Sequence, residues 1–122
     1  MNFSHNYYKL QNKIFTTIRK ELIKEGTIEP ITLKRKYLFD AKVISCDPIN
    51  IDEAYYPFLL VDTMNDEIPI KTMDDIEDLF QSFYKKIIDF ETQVWYVIVF
   101  LRVEQKTTIE EVIVQEDLNR YL

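Results

Sequence analysis

The stretch IFTTIRKELIKEG, residues 14–26, places two hydroxyls, Thr16 and Thr17, just ahead of two cations, Arg19 and Lys20. Amide hydrolysis needs a nucleophile, a base to activate it and a donor for the developing oxyanion. Thr17 can be the nucleophile if a neutral base stands beside it. Lys13 supplies that base only if burial lowers its pKa. Asp75 or Glu77 can pass the proton on. Arg19 can instead hold a phosphate or a base edge with its two-pronged guanidinium. The plainer alternative makes Thr16 and Thr17 β-favouring residues that pack a strand. It makes Arg19 an exposed cation paired with Glu21 or Asp75.

A second set is LKRKY. Lys34, Arg35 and Lys36 form the densest basic run, and Tyr37 is available for stacking. Cations interleaved with aromatics suit single-stranded nucleic acid. The alternative is an edge strand blunted by lysines. Arg35 falls on an otherwise apolar face, so it has to be paired or near a barrel mouth. His5 is the only histidine and Cys46 the only cysteine, and neither sits in a nucleophile motif. Cys46 reads as a small buried residue. DTMNDE, residues 62–67, has three acids but lacks EF-hand spacing and its glycine. It reads as an exposed loop, and no metal site is expected. One glycine in the chain excludes glycine-cradled phosphate loops and dinucleotide fingerprints, so no cofactor is expected.

Elements must position these groups, and 122 residues suffice for one domain. A content of 47% hydrophobic and 30% charged residues reads as globular. The lone cysteine excludes an internal disulfide and suits a reducing, cytoplasmic setting. The first residues show no basic-then-apolar leader. The longest apolar run, 94–101, is too short to span a bilayer, so no membrane partner is expected. The net charge of −6 argues against bulk nucleic-acid binding but hides an asymmetry: residues 1–46 sum to +5 and residues 47–122 to −11. Such halves can mark an interaction face.

Residues 5–14 suggest a short N-terminal helix, with Tyr7, Leu10 and Ile14 on one side. EGTIEP reads as a turn at Gly26, closed by Pro30. From Ile31 to Val43 the pattern has period two, too long for one strand, so a bend or hairpin is expected near 36–39. Asp47-Pro48 should end the run. PFLLVDTMNDEIPIK looks irregular. Thr72 is an N-cap signal for a firm helix over about 73–89. Its first-turn acids Asp74 and Asp75 suit the positive end of that helix. QVWYVIVFLRVE, apolar on both faces, reads as a central strand. A last strand is expected near 109–114. The class is α+β, with largely antiparallel strands around a core.

The order of these elements resembles the ASCH domain, a PUA-like β-barrel family. The likeness rests on TTIRKELIKEG (16–26), FDAKVIS (39–45), TMDDIEDLFQSFY (72–84) and VWYVIVF (94–100). With their connections these cover about residues 10–103 and leave 104–122 as a C-terminal extension. The resemblance implies a small, mixed, largely antiparallel barrel that binds RNA or modified bases in a cleft beside a helix. Thr17 and Arg19 would line that cleft. One enzymatic branch of the family releases acetate from N4-acetylcytidine. Its pattern is Lys-x-x-Thr-x-Arg, with a glutamate early in the helix. Here Ile14 stands at the lysine position and Lys13 comes one residue too early. Asp75 stands at the acid position, with Glu77 close by. The resemblance thus implies an RNA- or nucleotide-binding module first, and an amidohydrolase on an acylated nucleoside second. The charge asymmetry keeps a third reading open: a domain that meets a basic protein partner through its acidic half, or forms a homodimer through the segment beyond Glu104.

Overall fold

The structure, a computed structural model, describes residues 1–104. It is α+β, with a five-stranded mixed sheet curled into a half-barrel and two helices. The strands are β1 (Asn2–Phe3), β2 (Ile14–Arg19), β3 (Ile28–Leu33), β4 (Lys36–Ile49) and β5 (Trp95–Val103). The helices are α1 (Tyr56–Thr63) and α2 (Met73–Ser82). The sheet order is β1-β3-β4-β5-β2. β1 pairs parallel with β3, and every other pair is antiparallel. The strand expected near 109–114 and the extension beyond Glu104 lie outside the described residues.

The long period-two run divides as a hairpin, but the loop is Lys34-Arg35, ahead of the expected 36–39. Both loop residues have positive φ, 50° and 71°. Two left-handed residues match the right-handed twist of the strands they join, and asparagine and glycine usually supply them. Arg35 therefore belongs to a turn, not to the apolar face. β4 then continues through Asp47-Pro48, with Pro48 opposite Tyr96. β3 pairs with β4 only as far as Lys42, so Pro48 lies where β4 has β5 alone beside it and proline's missing N–H disturbs little. Pro30 sits inside β3 rather than closing the Gly26 turn. A bulge between Val43 and Ser45 helps to curl the sheet.

β5 is central, between β4 and β2, as its two-faced apolar sequence requires. Its Trp95, Ile98 and Phe100 are fully buried, alongside Ile31, Ala41, Leu59 and Ile76. The N-terminal segment forms a short 3-10 turn at Tyr8–Gln11 in place of a helix over 5–14. PFLLVDT is helical. Apolar residues all round α1 hid the helical period, and Pro57 suits its first turn. Asp62 and Thr63, expected in an exposed loop, are buried on this helix.

Thr72 caps α2 in a full capping box: its hydroxyl accepts from Asp75 N, and Asp75 Oδ2 accepts from Thr72 N. The helix stops at Ser82, well short of 89. The Gln81 amide replaces the missing turns. It donates to the carbonyls of Tyr84 and Lys86 and accepts from Ile88 N at 2.8 Å. This folds Ile88 back into the core and leaves Ile87 94% exposed.

Candidate functional site

The half-barrel does not close. Its edge strands, β1 and β2, share no backbone ladder and meet only through side chains. Phe3 and Phe15 contact edge to face at 6.4 Å. The Arg19 guanidinium lies 4.9 Å from the Phe3 ring centroid and donates from Nη2 to the carbonyl of Asn2 at 3.2 Å. A cleft of about 40 Å³ opens along this seam, between Phe3, Thr17 and Arg19 on one side and the helix residues Asp62 and Phe80, with Tyr84 just after α2, on the other. That is room for about three waters. Alternation along β2 puts Thr17 and Arg19 on one face, and Ile18 between them also borders the cleft.

The guanidinium is aimed, not loose. Arg19 Nε donates to Thr17 Oγ1 at 3.4 Å, and the Phe3 ring supports the cation. Among the described residues Arg19 forms no ion pair, and its Nη1 makes no hydrogen bond. Glu21 and Asp75 are not its partners. Burial lowers the Arg19 pKa without discharging a guanidinium. Thr17 is buried, so its hydroxyl faces the cleft and not bulk solvent.

Beneath them lies a buried charge pair. Lys9 Nζ donates to Asp62 Oδ2 at 3.0 Å, and Thr16 Oγ1 donates to Asp62 Oδ1 at 2.5 Å. Lys9 also lies over the rings of Phe3 and Tyr7, at 5.5 and 5.0 Å. Burial pushes its pKa down, and Asp62 opposes this. Burial also raises the Tyr7 pKa strongly, so its phenol stays protonated. Lys20 packs over the Tyr84 ring at 4.0 Å, at the edge of the same cleft.

Asn2 joins the cleft to the basic hairpin. Its carbonyl receives Arg19, and its Oδ1 accepts from Arg35 N at 2.8 Å and from Thr32 Oγ1 at 2.6 Å. Lys34 N donates to the carbonyl of Phe3, and Lys34 Nζ pairs with Glu67 at 3.0 Å. Lys36 and Tyr37 open β4 opposite Leu33 and Thr32, on the strand that pairs with β1. Of the expected ligand residues, Thr17 and Arg19 line the cleft, Thr16 and Lys20 flank it through Asp62 and Tyr84, and the Lys34-Arg35 turn is tied to it through Asn2 and Phe3. Lys36 and Tyr37 open β4 at the end opposite Pro48, and Tyr37 lines a separate pocket with Asp40 and Arg102.

The expected catalytic set is not brought together. Lys13 is exposed just ahead of β2, and its carbonyl accepts from Arg102 N. Asp75 is spent on the capping box, where backbone N–H groups hold its pKa below the usual carboxylate range. Glu77 faces a separate groove of about 460 Å³ that it lines with Asp52, Glu53, Asp74 and Glu91. Sequence reasoning missed Tyr7, Lys9 and Asp62. The available signal was a lone acid inside an apolar run, PFLLVD, because a buried carboxylate needs a partner. Among the described residues no cluster of metal-binding side chains occurs, and no helix is long and apolar enough to cross a membrane.

The chain is 34% identical over 88 residues to the uncharacterized protein MJ0364 of Methanocaldococcus jannaschii, an alignment that covers 68% of this chain and 77% of the relative. The chain belongs to the family of that archaeal protein. No family model and no solved structure matches it.

Proposed function

We propose that the chain is an ASCH-type, PUA-like module that binds RNA or a nucleotide at the seam between β1 and β2. The observation that carries this reading is Arg19: a partly buried guanidinium with a free edge, fixed by Phe3, Thr17 and Asn2, and linked through Asn2 to a basic hairpin. The hairpin adds support. Lysine and arginine hold left-handed turn positions that favour asparagine and glycine, and strained residues of this kind concentrate at working sites. The curled sheet and the Thr-capped helix beside the cleft agree with the ASCH element order.

Amide NMR of the labelled protein tests the reading. Short single-stranded RNA should shift Thr16, Thr17, Arg19 and residues 34–37, and affinity should fall as salt rises. Arg19→Ala should abolish the shifts while the rest of the spectrum stays folded. A flat titration at low salt removes the reading.

A second reading, hydrolysis of an acylated nucleoside, draws on Lys9. It lines the same cleft as Thr17, and burial favours its neutral form. It offers the base that Lys13 cannot, once Asp62 lets go of its ammonium. Acetate release from N4-acetylcytidine, lost in both Thr17→Ala and Lys9→Met, is the expected result. Activity that survives Thr17→Ala excludes this mechanism.

A further inference from the structure

We infer that the seam cleft takes a terminal phosphate group, the end of a nucleic-acid strand or the phosphate of a mononucleotide, and not a nucleobase. This rests on the reading of the chain as an RNA- or nucleotide-binding module.

Three observations carry it. The first is size. A space of about 40 Å³ holds about three waters, the scale of one tetrahedral oxyanion. A phosphodiester inside a strand would also need two ways out of that space, whereas a terminal phosphate needs one. The second is hydrogen-bond type. Among the described residues Asp62 is the only carboxylate in the lining, and both of its oxygens are taken, by Lys9 and by Thr16. Of the groups left over in the lining among the described residues, Arg19 Nη1 can only donate, and the hydroxyls of Ser4, Tyr7, Thr17 and Tyr84 each have a proton to offer an anion. Thr17 Oγ1 accepts from Arg19, which leaves its proton free. A base edge presents donors and acceptors together, whereas phosphate presents acceptors and charge. The third is position. Asn2 fastens the Arg35 backbone to the cleft mouth, so a strand whose end sits at Arg19 passes the basic turn, where the exposed Arg35 and Lys36 form no ion pair among the described residues.

Tyr7 makes the preference for an anion sharper. Its buried phenol lies near a lysine and an arginine and keeps its proton, so it adds a neutral donor and no negative charge beside the ligand.

The test compares three versions of one short single-stranded RNA, with a 5′-phosphate, a 3′-phosphate or hydroxyls at both ends. The full chain is titrated with each at fixed moderate salt and followed by fluorescence anisotropy. Adenosine monophosphate and adenosine are titrated in parallel. One phosphorylated end should bind about tenfold or more tighter than the hydroxyl-ended strand, the effect of a charge-assisted bidentate contact. Arg19→Lys, which keeps the charge and can keep the fold, should erase most of that difference. Adenosine monophosphate binding that adenosine lacks, with no gain from a strand, also supports the phosphate site and makes a mononucleotide its source. Equal binding of all three RNAs overturns the inference and leaves the RNA-binding reading standing. Binding of none of the five overturns both.

Discussion

The seam cleft and the acidic groove both gather charge, and they treat it in opposite ways. The cleft is small, about 40 Å³, and its one carboxylate is buried and fully bonded. The groove is open, about 460 Å³, and its acids Asp52, Glu53, Asp74 and Glu91 stand in water while Glu77 is half-buried. Several have local duties: Asp52 accepts from Ala54 N, and Asp74 sits in the first turn of α2. Volume alone would point to the groove. Commitment points to the cleft, because burying Lys9 and Asp62 is expensive unless each satisfies the other. A fold that keeps such a pair under an aimed arginine has built something there.

The largest expected effect breaks that pair. Asp62→Ala leaves the Lys9 ammonium buried without a counter-charge and the Thr16 hydroxyl without its acceptor. The loss should be ~3–5 kcal/mol, read as a fall in the urea midpoint. Lys9→Met combined with Asp62→Leu should recover most of it, since an apolar pair of similar volume carries no desolvation penalty. If the double variant is no more stable than Asp62→Ala, the pair's value lies in shape and not in charge.

The next effect separates stability from binding. Replacing Lys34-Arg35 with Asn-Gly relieves two left-handed residues, and the hairpin should gain ~1–2 kcal/mol. RNA affinity should fall in the same protein. A variant that is both more stable and equally tight would show that the basic turn is merely tolerated. Thr72→Ala follows, on the groove side. It removes one half of the capping box and should cost ~1 kcal/mol in the same urea titration.

These sites were unequally legible in the sequence. Thr72 and its acids announce the start of α2 because capping is local chemistry. Nothing marks its end, because Gln81 closes the helix through bonds to residues three to seven positions later, without a stop glycine. β5 is plain because a central strand is apolar on both faces. The turn at Lys34-Arg35 is hidden because tertiary bonds from Asn2 and Phe3 hold residues that intrinsic preference would reject. Thr17 and Arg19 stand out in the sequence by residue type and by the Thr-x-Arg spacing, and the strand's alternation keeps the two on one face. Lys9 and Asp62 lie 53 residues apart and meet only when α1 packs over the seam, which no spacing rule reports.

The smallest effects test the contrast through pH. Glu67 accepts from Lys34, His5 and Asn6, and these bonds hold its carboxyl down to about 2. Its contribution to stability is therefore complete above its ordinary value of 4.5 and should drain away as pH falls toward 2. Glu77 has the opposite sign. Partial burial, with Asp74 and Asp78 nearby, raises its carboxyl above its ordinary value. The folded state then binds a proton more readily than the unfolded chain, so Glu77 subtracts stability as pH rises through that window. Glu77→Gln should accordingly stabilise the protein at pH 7, by no more than ~0.5 kcal/mol, and the gain should vanish below pH 4.5. Thermal midpoints of the wild type and the variant at pH 7 and pH 4 decide this. A gain equal at both values would mean that the groove acids do not repel one another, and that their exposure leaves them as independent as the open groove suggests.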